Sequence, residues 1–301
     1  MAHNNWGYEL AEQGKVDEAK AHYLAALDVY PSFPEAHFNL GDLFSAEGRT
    51  EEALAQYRAA VEAKPDFAEA HNNLSNLLAK RGDGQQALKY ATEAIRLRPN
   101  YPQAHFNCGN ALSLLGKVAE AAVEYSTAVR LKPDYAEAHY NLGGTLFLLG
   151  KTDEAAAHLS EAARLQPANA AAHTKLALIL ARQGQTGEAL MHYQEALRLQ
   201  PGSLEALKNL AWIRATHPDA QYRNGAEAVR LAQQAAQLTQ EKDAAVLDIL
   251  AAAYAEAGDF AHAVATSERA LALATATNQS SLREQILARQ ALYRSGQPCR
   301  Q

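Results

Sequence analysis

The hexapeptide AHFNLG at residues 36–41 sets a histidine two positions before an asparagine, a pairing of imidazole with carboxamide suited to proton transfer or metal binding. It recurs as AHNNLS at 70, AHFNCG at 104 and AHYNLG at 138, with looser copies AHNNWG at 2 and AHTKLA at 172. On an α-helix each residue turns by about 100°, so residues two apart project about 200° from one another. His37 and Asn39 therefore cannot converge on one ligand, and the pair separates into two columns. The histidine column is a poor metal site. Adjacent packed helices stand at least about 8–10 Å apart, zinc holds nitrogen at about 2.0–2.1 Å, and no cysteine or carboxylate accompanies the histidines at ligand spacing. Packing is the expected role, with one ring nitrogen hydrogen-bonded.

Other chemical motifs dissolve on inspection. GGTLFLLGKT at 143–152 resembles a phosphate loop, but five residues rather than four separate Gly144 from Gly150, and no strand precedes it. Asn73-Leu74-Ser75 matches a glycosylation acceptor only formally, because it lies inside a helical pattern. Trp6 and Cys108 take apolar positions of their segments and are expected in the core. No autonomous active site and no cofactor are expected.

The columns must be positioned by something periodic. Pro31, Pro65, Pro99, Pro133, Pro167 and Pro201 lie 34 residues apart, and so do Gly14, Gly48, Gly82, Gly116, Gly150 and Gly184. The histidines from His3 to His173 keep the same interval. Apolar residues make up 48% of the 301, yet Val and Ile are sparse and Ala abundant, which favours helix over sheet. Within a unit, His37, Leu40, Gly41 and Phe44 mark one face of a first helix, Gly48 breaks the chain, and Ala53, Tyr57 and Ala60 mark a second helix that Pro65 stops. Small residues at 41, 53 and 60 let the two helices approach closely, and basic residues before the proline, as in RLRP at 96, complement the helix C-terminus.

This period and pattern resemble the tetratricopeptide repeat (TPR) family over residues 1 to about 275. The resemblance implies an all-α, right-handed superhelical solenoid of antiparallel helix pairs, its concave surface formed mainly by the first helices. Six regular units span 1–203, a degenerate seventh with a lengthened turn, THPDAQYRNG, spans 204–243, an eighth spans 244–277, and a capping helix with its tail spans 278–301. That helix is expected to open on a capping box from Ser281 to Glu284 and to carry Leu282, Ile286 and Leu292. Met1 falls inside the first helix of unit one, which suggests further repeats upstream.

With each histidine fourth in its unit, Asn5, Asn39, Asn73, Asn107, Asn141 and Asn209 are all sixth, and Lys175 is the exception. Asparagine is about 0.6 kcal/mol worse than alanine in a helix, and a concave row of amides able to donate to and accept from an extended backbone gives a reason to keep it. The row resembles the asparagine ladder of the superhelical repeats of O-GlcNAc transferases. Asn76 and Asn110 at the ninth position widen it, while Phe38, Phe106, Tyr140, Phe147 and Trp212 add aromatic surface. Glu35, Asp42, Glu69 and Glu137 line one half, and Lys175, Arg182 and Lys208 the other, so an acidic part of a ligand is expected near units six and seven. The lysine and asparagine alternation of chaperone-binding carboxylate clamps is not reproduced.

The expected function is a scaffold holding an extended peptide or unfolded segment in its groove, similar to bacterial stand-alone TPR arrays. Two alternatives are a substrate-recognition arm of a larger enzyme, such as a glycosyltransferase, and a scaffold that self-assembles through the edge of unit one. A monomer or an edge-mediated homo-oligomer is consistent with either. A net charge of −6, with signs interspersed, argues against nucleic acid, and the longest apolar run is too short for a membrane span. Two cysteines, Cys108 and Cys299, make no disulfide framework and fit a cytoplasmic location.

Overall fold

The computed structural model describes residues 1–300, and every regular element among them is helical. The chain divides into two compact units after Lys151. The first holds α1 (Ala2–Glu12), α2 (Val16–Val29), α3 (Pro34–Ala46), α4 (Thr50–Ala63), α5 (Ala68–Lys80), α6 (Gly84–Leu97), α7 (Pro102–Leu114), α8 (Val118–Leu131) and α9 (Ala136–Leu148). The second holds α10 (Thr152–Leu165), α11 (Ala170–Arg182), α12 (Thr186–Leu199), α13 (Leu204–Thr216), α14 (Gly225–Leu238), α15 (Ala244–Glu256), α16 (Phe260–Ala276) and α17 (Ser280–Arg294). The core of the first unit gathers Leu40, Leu54, Tyr57, Leu74 and Leu78. That of the second gathers Leu207, Leu210, Leu231, Leu247 and Ile286.

Three side-chain devices repeat with the period. The first is the turn. Gly48 sits at φ 73° and Gly82 at φ 86°, a left-handed conformation in which a Cβ is strained. The second joins the helices of one hairpin. A Cβ on Gly41 would stand 2.7 Å from the Tyr57 ring, and one on Gly109 would stand 2.6 Å from the Tyr125 ring. The bare eighth position thus admits the twenty-fourth-position tyrosine, whose burial is worth about 1.5–3 kcal/mol. In the third repeat the ring gives way to Ala91, and Ser75 replaces the glycine.

The third device joins successive repeats and explains the histidines. Nε2 of His37, His71, His105, His139 and His173 lies 2.8, 2.9, 3.0, 3.1 and 3.2 Å from the carbonyl oxygens of Pro31, Pro65, Pro99, Pro133 and Pro167. A carbonyl only accepts, so Nε2 carries the proton and donates. The proline that ends one repeat therefore presents its oxygen to the histidine that opens the next.

The lengthened seventh turn is braced by arginines. Arg214 donates to the carbonyl of Tyr222 at 3.1 Å, and Arg223 pairs with Glu256 at 2.9 Å. Asn224 then caps α14 by accepting from the backbone N–H of Glu227 at 3.0 Å.

Two expectations are corrected. Helix α17 begins at Ser280 with Gln279 as its N-cap and no side-chain cap bond, so Ser281 lies inside the first turn and forms no capping box. Its buried face is Ile286, Gln290 and Tyr293, with Gln290 donating to Ser267 at 3.0 Å, while Leu292 is exposed. Trp6 is 59% exposed and stacks on His22 at 4.9 Å. Cys108 is buried on α7, which packs against the preceding α5 and α6, whereas α1 packs against α2 and α3.

Candidate functional site

The sixth-position asparagines stand on the first helices of their repeats, and in the first compact unit their amides link consecutive repeats. Asn39 donates to Oδ1 of Asn4 at 3.0 Å, Asn73 to Oδ1 of Asp42 at 3.0 Å, Asn107 to Oδ1 of Asn72 at 2.8 Å and Asn141 to Oδ1 of Asn110 at 2.9 Å. The acceptor alternates between the fifth position (Asn4, Asn72) and the ninth (Asp42, Asn110) of the repeat before. An N–H of each carboxamide is used in this way, while Asn73 also accepts from Asn72 at 3.2 Å and lies 3.4 Å from the Tyr57 hydroxyl, and Asn107 lies 3.4 Å from the Asn72 carbonyl. Asn39, Asn73 and Asn141 are half-buried, whereas Asn107 is only 5% exposed.

The alternation follows the fifth position of the repeat before, which carries an amide oxygen at Asn4 and Asn72 and an aromatic ring, with nothing to accept, at Phe38 and Phe106. Where the twenty-fourth position is a tyrosine and the ninth an oxygen acceptor, the acceptor is shared. Tyr57 donates to Oδ1 of Asp42 at 2.6 Å, and Tyr125 to Oδ1 of Asn110 at 2.8 Å. The same oxygens receive Asn73 and Asn141. In the third repeat Ala91 replaces the tyrosine, and no acceptor is shared there. Crowding at the Asp42 carboxylate strips it of water and raises its pKa, against the lowering effect of the bonds from Tyr57 and Asn73. Burial pushes the Tyr125 phenol up to about 12, so it remains a proton donor.

The fifth-position aromatics are parts of clusters. Phe38 lies 4.9 Å from Phe67 and 5.8 Å from Tyr57, and Phe106 lies 4.9 Å from Tyr135 and 5.8 Å from Tyr125. Asn5, Asn39 and Phe38 come together around an open cavity of about 430 Å³ that also includes Asn4 and Glu35. In the second compact unit, Asn209 and Trp212 share a cavity of about 460 Å³ with Arg182 and Tyr193. Lys208 joins Asn209 at an adjoining hollow. Tyr140, Phe147, Asn76 and Lys175 are half-buried on their first helices and line neither cavity.

Several of the charges are paired. Lys64 lies 3.8 Å from Glu35, Arg98 bonds to Glu69, and Lys208 lies 3.9 Å from Asp243. Arg289 sits 5.4 Å from the Trp212 ring. Among the described residues no group of three or more His, Cys, Asp or Glu is disposed to hold a metal ion.

Reading single positions overlooks Asn4 and Asn72 as acceptors and Tyr57 and Tyr125 as co-donors. The signal was present at the fifth position, where Asn4 and Asn72 alternate with Phe38 and Phe106.

A model described as tetratricopeptide repeat matches residues 4–68, 39–102, 72–125, 149–203 and 174–221. Models described as TPR repeat and tetratricopeptide repeat match 109–150 and 244–269. No match was found among curated proteins. Among solved structures, the chain is similar to pilF of Pseudomonas aeruginosa at 23% identity and a TM-score of 0.63, over 70% of this chain and 96% of that one. It is similar to YrrB, titled a TPR protein with an unusual peptide-binding site, at 23% identity and a TM-score of 0.53, over 62% of this chain and 96% of that one. MamA of Desulfovibrio magneticus RS-1 gives 22% identity and a TM-score of 0.50, over 56% and 96%. At these identities the likeness is one of fold.

Proposed function

The chain belongs to the tetratricopeptide repeat family, and we propose on that footing that it holds an extended segment of another protein against the first-helix faces of its repeats. TPR repeats form a scaffold suited to protein–protein interaction, and a chain matched only by repeat models points to a non-catalytic protein. No helix among the described residues is long and apolar enough to cross a membrane.

The observation that carries the reading is the state of the amides. Asn39, Asn73 and Asn141 each use one N–H to bridge repeats, and that bridge fixes the carboxamide plane. The second N–H and remaining acceptor capacity are then held at a repeating interval without further ordering cost, which is the economy of preorganisation. An extended backbone offers carbonyls and N–H groups to such a row whatever its side chains. The aromatic clusters around Phe38 and Phe106 add apolar surface beside it. Ordering a flexible ligand offsets part of the gain, so affinity is on the order of micromolar.

The test is a set of random-sequence twelve-residue peptides, from which one that binds the full chain is chosen for titration. The variant Asn39→Ala, Asn73→Ala, Asn141→Ala should keep its helical circular dichroism and bind at least about tenfold more weakly. Unchanged affinity in a folded triple variant would defeat the reading.

A further inference from the structure

Helix α17 ends on the same glycine turn as the first helices of the repeats. Gly296 sits at φ 71°, its N–H meets the carbonyl of Tyr293 at 3.0 Å, and the N–H of Gln297 reaches back to that of Leu292 at 3.0 Å. Gly48 makes the same turn, and the chain then enters α4. After Gly296 no second helix begins among the described residues, and residues 297–300 run back towards α17 and α15 without regular structure.

Two side chains hold this tail. Cys299 is 6% exposed and lies against the Tyr293 hydroxyl, which is buried and has no other partner. Arg300 pairs with one carboxylate oxygen of Glu256 at 2.6 Å, while Arg223 bonds to the other at 2.9 Å. Glu256 closes α15 and Arg223 belongs to the lengthened seventh turn, so that irregular turn supplies part of the tail's seat. The backbone contributes little. Pro298 has no N–H, and among the described residues the N–H groups of Cys299 and Arg300 meet no backbone acceptor. A segment with few buried contacts and no backbone ladder belongs to the easily opened end of a structure.

The tail also covers a helix face. Cys299 and Arg300 form one wall of a cavity of about 560 Å³, opposite Trp212 and Arg289. From α15 the cavity is lined by Ala245, Asp248 and Ile249, the second, fifth and sixth positions of the eighth repeat. The fifth and sixth positions of the second repeat are Phe38 and Asn39. The tail thus lies where the scaffold reading puts the ligand.

We propose that residues 297–300 are a releasable strap, which covers the first-helix face of the eighth repeat and competes there with the bound segment. Release breaks the pair of Arg300 with Glu256, lifts Cys299 from Tyr293 and leaves the helices in place. What displaces the strap rests on the scaffold reading; the release itself does not.

The experiment follows modification of both cysteines by N-ethylmaleimide in the full chain, resolved by peptide mass spectrometry. Cys108, 3% exposed on α7, reports opening of the repeats, and Cys299 reports the strap. Cys299 should react at least about tenfold faster than Cys108. Arg300→Gln should speed Cys299 at least about threefold further and leave Cys108 and the Tm unchanged, although losing a neighbouring cation by itself slows thiol attack. Equal rates for the two thiols, or a Cys299 rate that Arg300→Gln leaves unmoved, would overturn the strap.

The competition is read with a twelve-residue peptide from the random-sequence set, chosen because it shifts the Trp212 indole signal of Arg300→Gln in nitrogen-15 NMR. A closed strap lowers the apparent affinity by the open fraction, so the variant should bind this peptide more tightly than the parent, by no more than its gain in Cys299 rate. Saturating peptide should also speed Cys299 in the parent. Equal affinities beside a faster Cys299 would mean that the strap opens without competing, and would sink the competition. Peptides that bind but never shift Trp212 would sink it too and leave the scaffold reading standing. If no peptide binds at all, the scaffold reading falls with the competition, and the thiol rates still decide the strap.

Discussion

Nδ1 of His105 lies 2.6 Å from a carboxylate oxygen of Glu124, nineteen residues on and across the hairpin. Nε2 of the same ring faces the carbonyl of Pro99 at 3.0 Å, so both nitrogens meet pure acceptors and the ring is held as imidazolium. The Glu124 bond raises the His105 pKa, burial opposes it, and the Pro99 carbonyl raises it further. A raised folded-state value means that the stabilisation is complete below about pH 6.5, where the unfolded ring is also protonated, and is lost as pH rises through the folded-state pKa. Glu124→Gln should bring the His105 titration, followed by NMR, back toward 6.5. The Tm advantage of the parent over this variant should be larger at pH 6 than at pH 9. A His105 titration that Glu124→Gln leaves unmoved would refute the charge assignment.

The sixth repeat places a second histidine at the corresponding position and reverses the sign. His173 and His192 approach Nδ1 to Nδ1 at 2.9 Å, which requires one donor and one acceptor and hence a ring that is not doubly protonated. Burial lowers the His192 pKa, the neighbouring His173 charge lowers it further, and Glu188 and Glu195 oppose both. Stability is therefore expected to fall as pH drops below about 6.5 and on through the lower folded-state value. His192→Gln keeps a hydrogen-bonding partner, as Gln56 does for His37 at 2.7 Å, and removes one titration. The variant should lose less Tm than the parent between pH 8 and pH 5, and an equal loss would count against the pair.

Two tyrosines at equivalent positions should answer differently to the same change. Tyr125→Phe deletes the bond to Asn110 and should cost about 0.5–1.5 kcal/mol. Tyr193→Phe alters a side chain that opens on a cavity, with Leu178 rather than an acceptor at the ninth position, and should be neutral or slightly stabilising. Thermal denaturation of both variants decides the matter, and comparable losses would count against the difference.

Gly225 is predicted to be intolerant for a reason of space. A Cβ there would stand 2.7 Å from the backbone nitrogen and 2.8 Å from the Cα of Ala257, atoms that cannot rotate away. Gly225→Ala should cost about 1–3 kcal/mol and lower the Tm accordingly. Gly202→Ala, with nothing within 4 Å of its Cβ, serves as the control and should stay within about 0.5 kcal/mol of the parent.

The helices were readable because each repeat spells them three times over, with His37, Gly48 and Pro65 serving the packing face, the turn and the stop. The histidines' separation from the asparagines also followed from helical geometry alone. What the sequence hid was where each donor goes. Asn73 and Asn107 look identical in register, yet one bonds to a ninth-position oxygen and the other to a fifth. That choice follows the fifth position of the preceding repeat, an amide at Asn72 and a ring at Phe38, and so needs the pairing of neighbouring repeats to be known. Trp6 failed for a related reason: α7, which carries the buried Cys108, packs against the preceding α5 and α6, whereas the neighbours of α1 are α2 and α3.

The link from His71 to Pro65, and its counterparts at 2.8 to 3.2 Å, bears on how such an array lengthens or shortens. Each imidazole opens one repeat and is answered by the oxygen that closes the previous one, so removing a segment of 34 residues, at any phase, lets the remaining imidazole meet the next available carbonyl. Deleting a length that is not a multiple of 34 brings the two halves of the clasp together out of step, with a ring opposite no oxygen. Growth and loss by whole modules thus leave every joint closed, whereas partial edits leave one open.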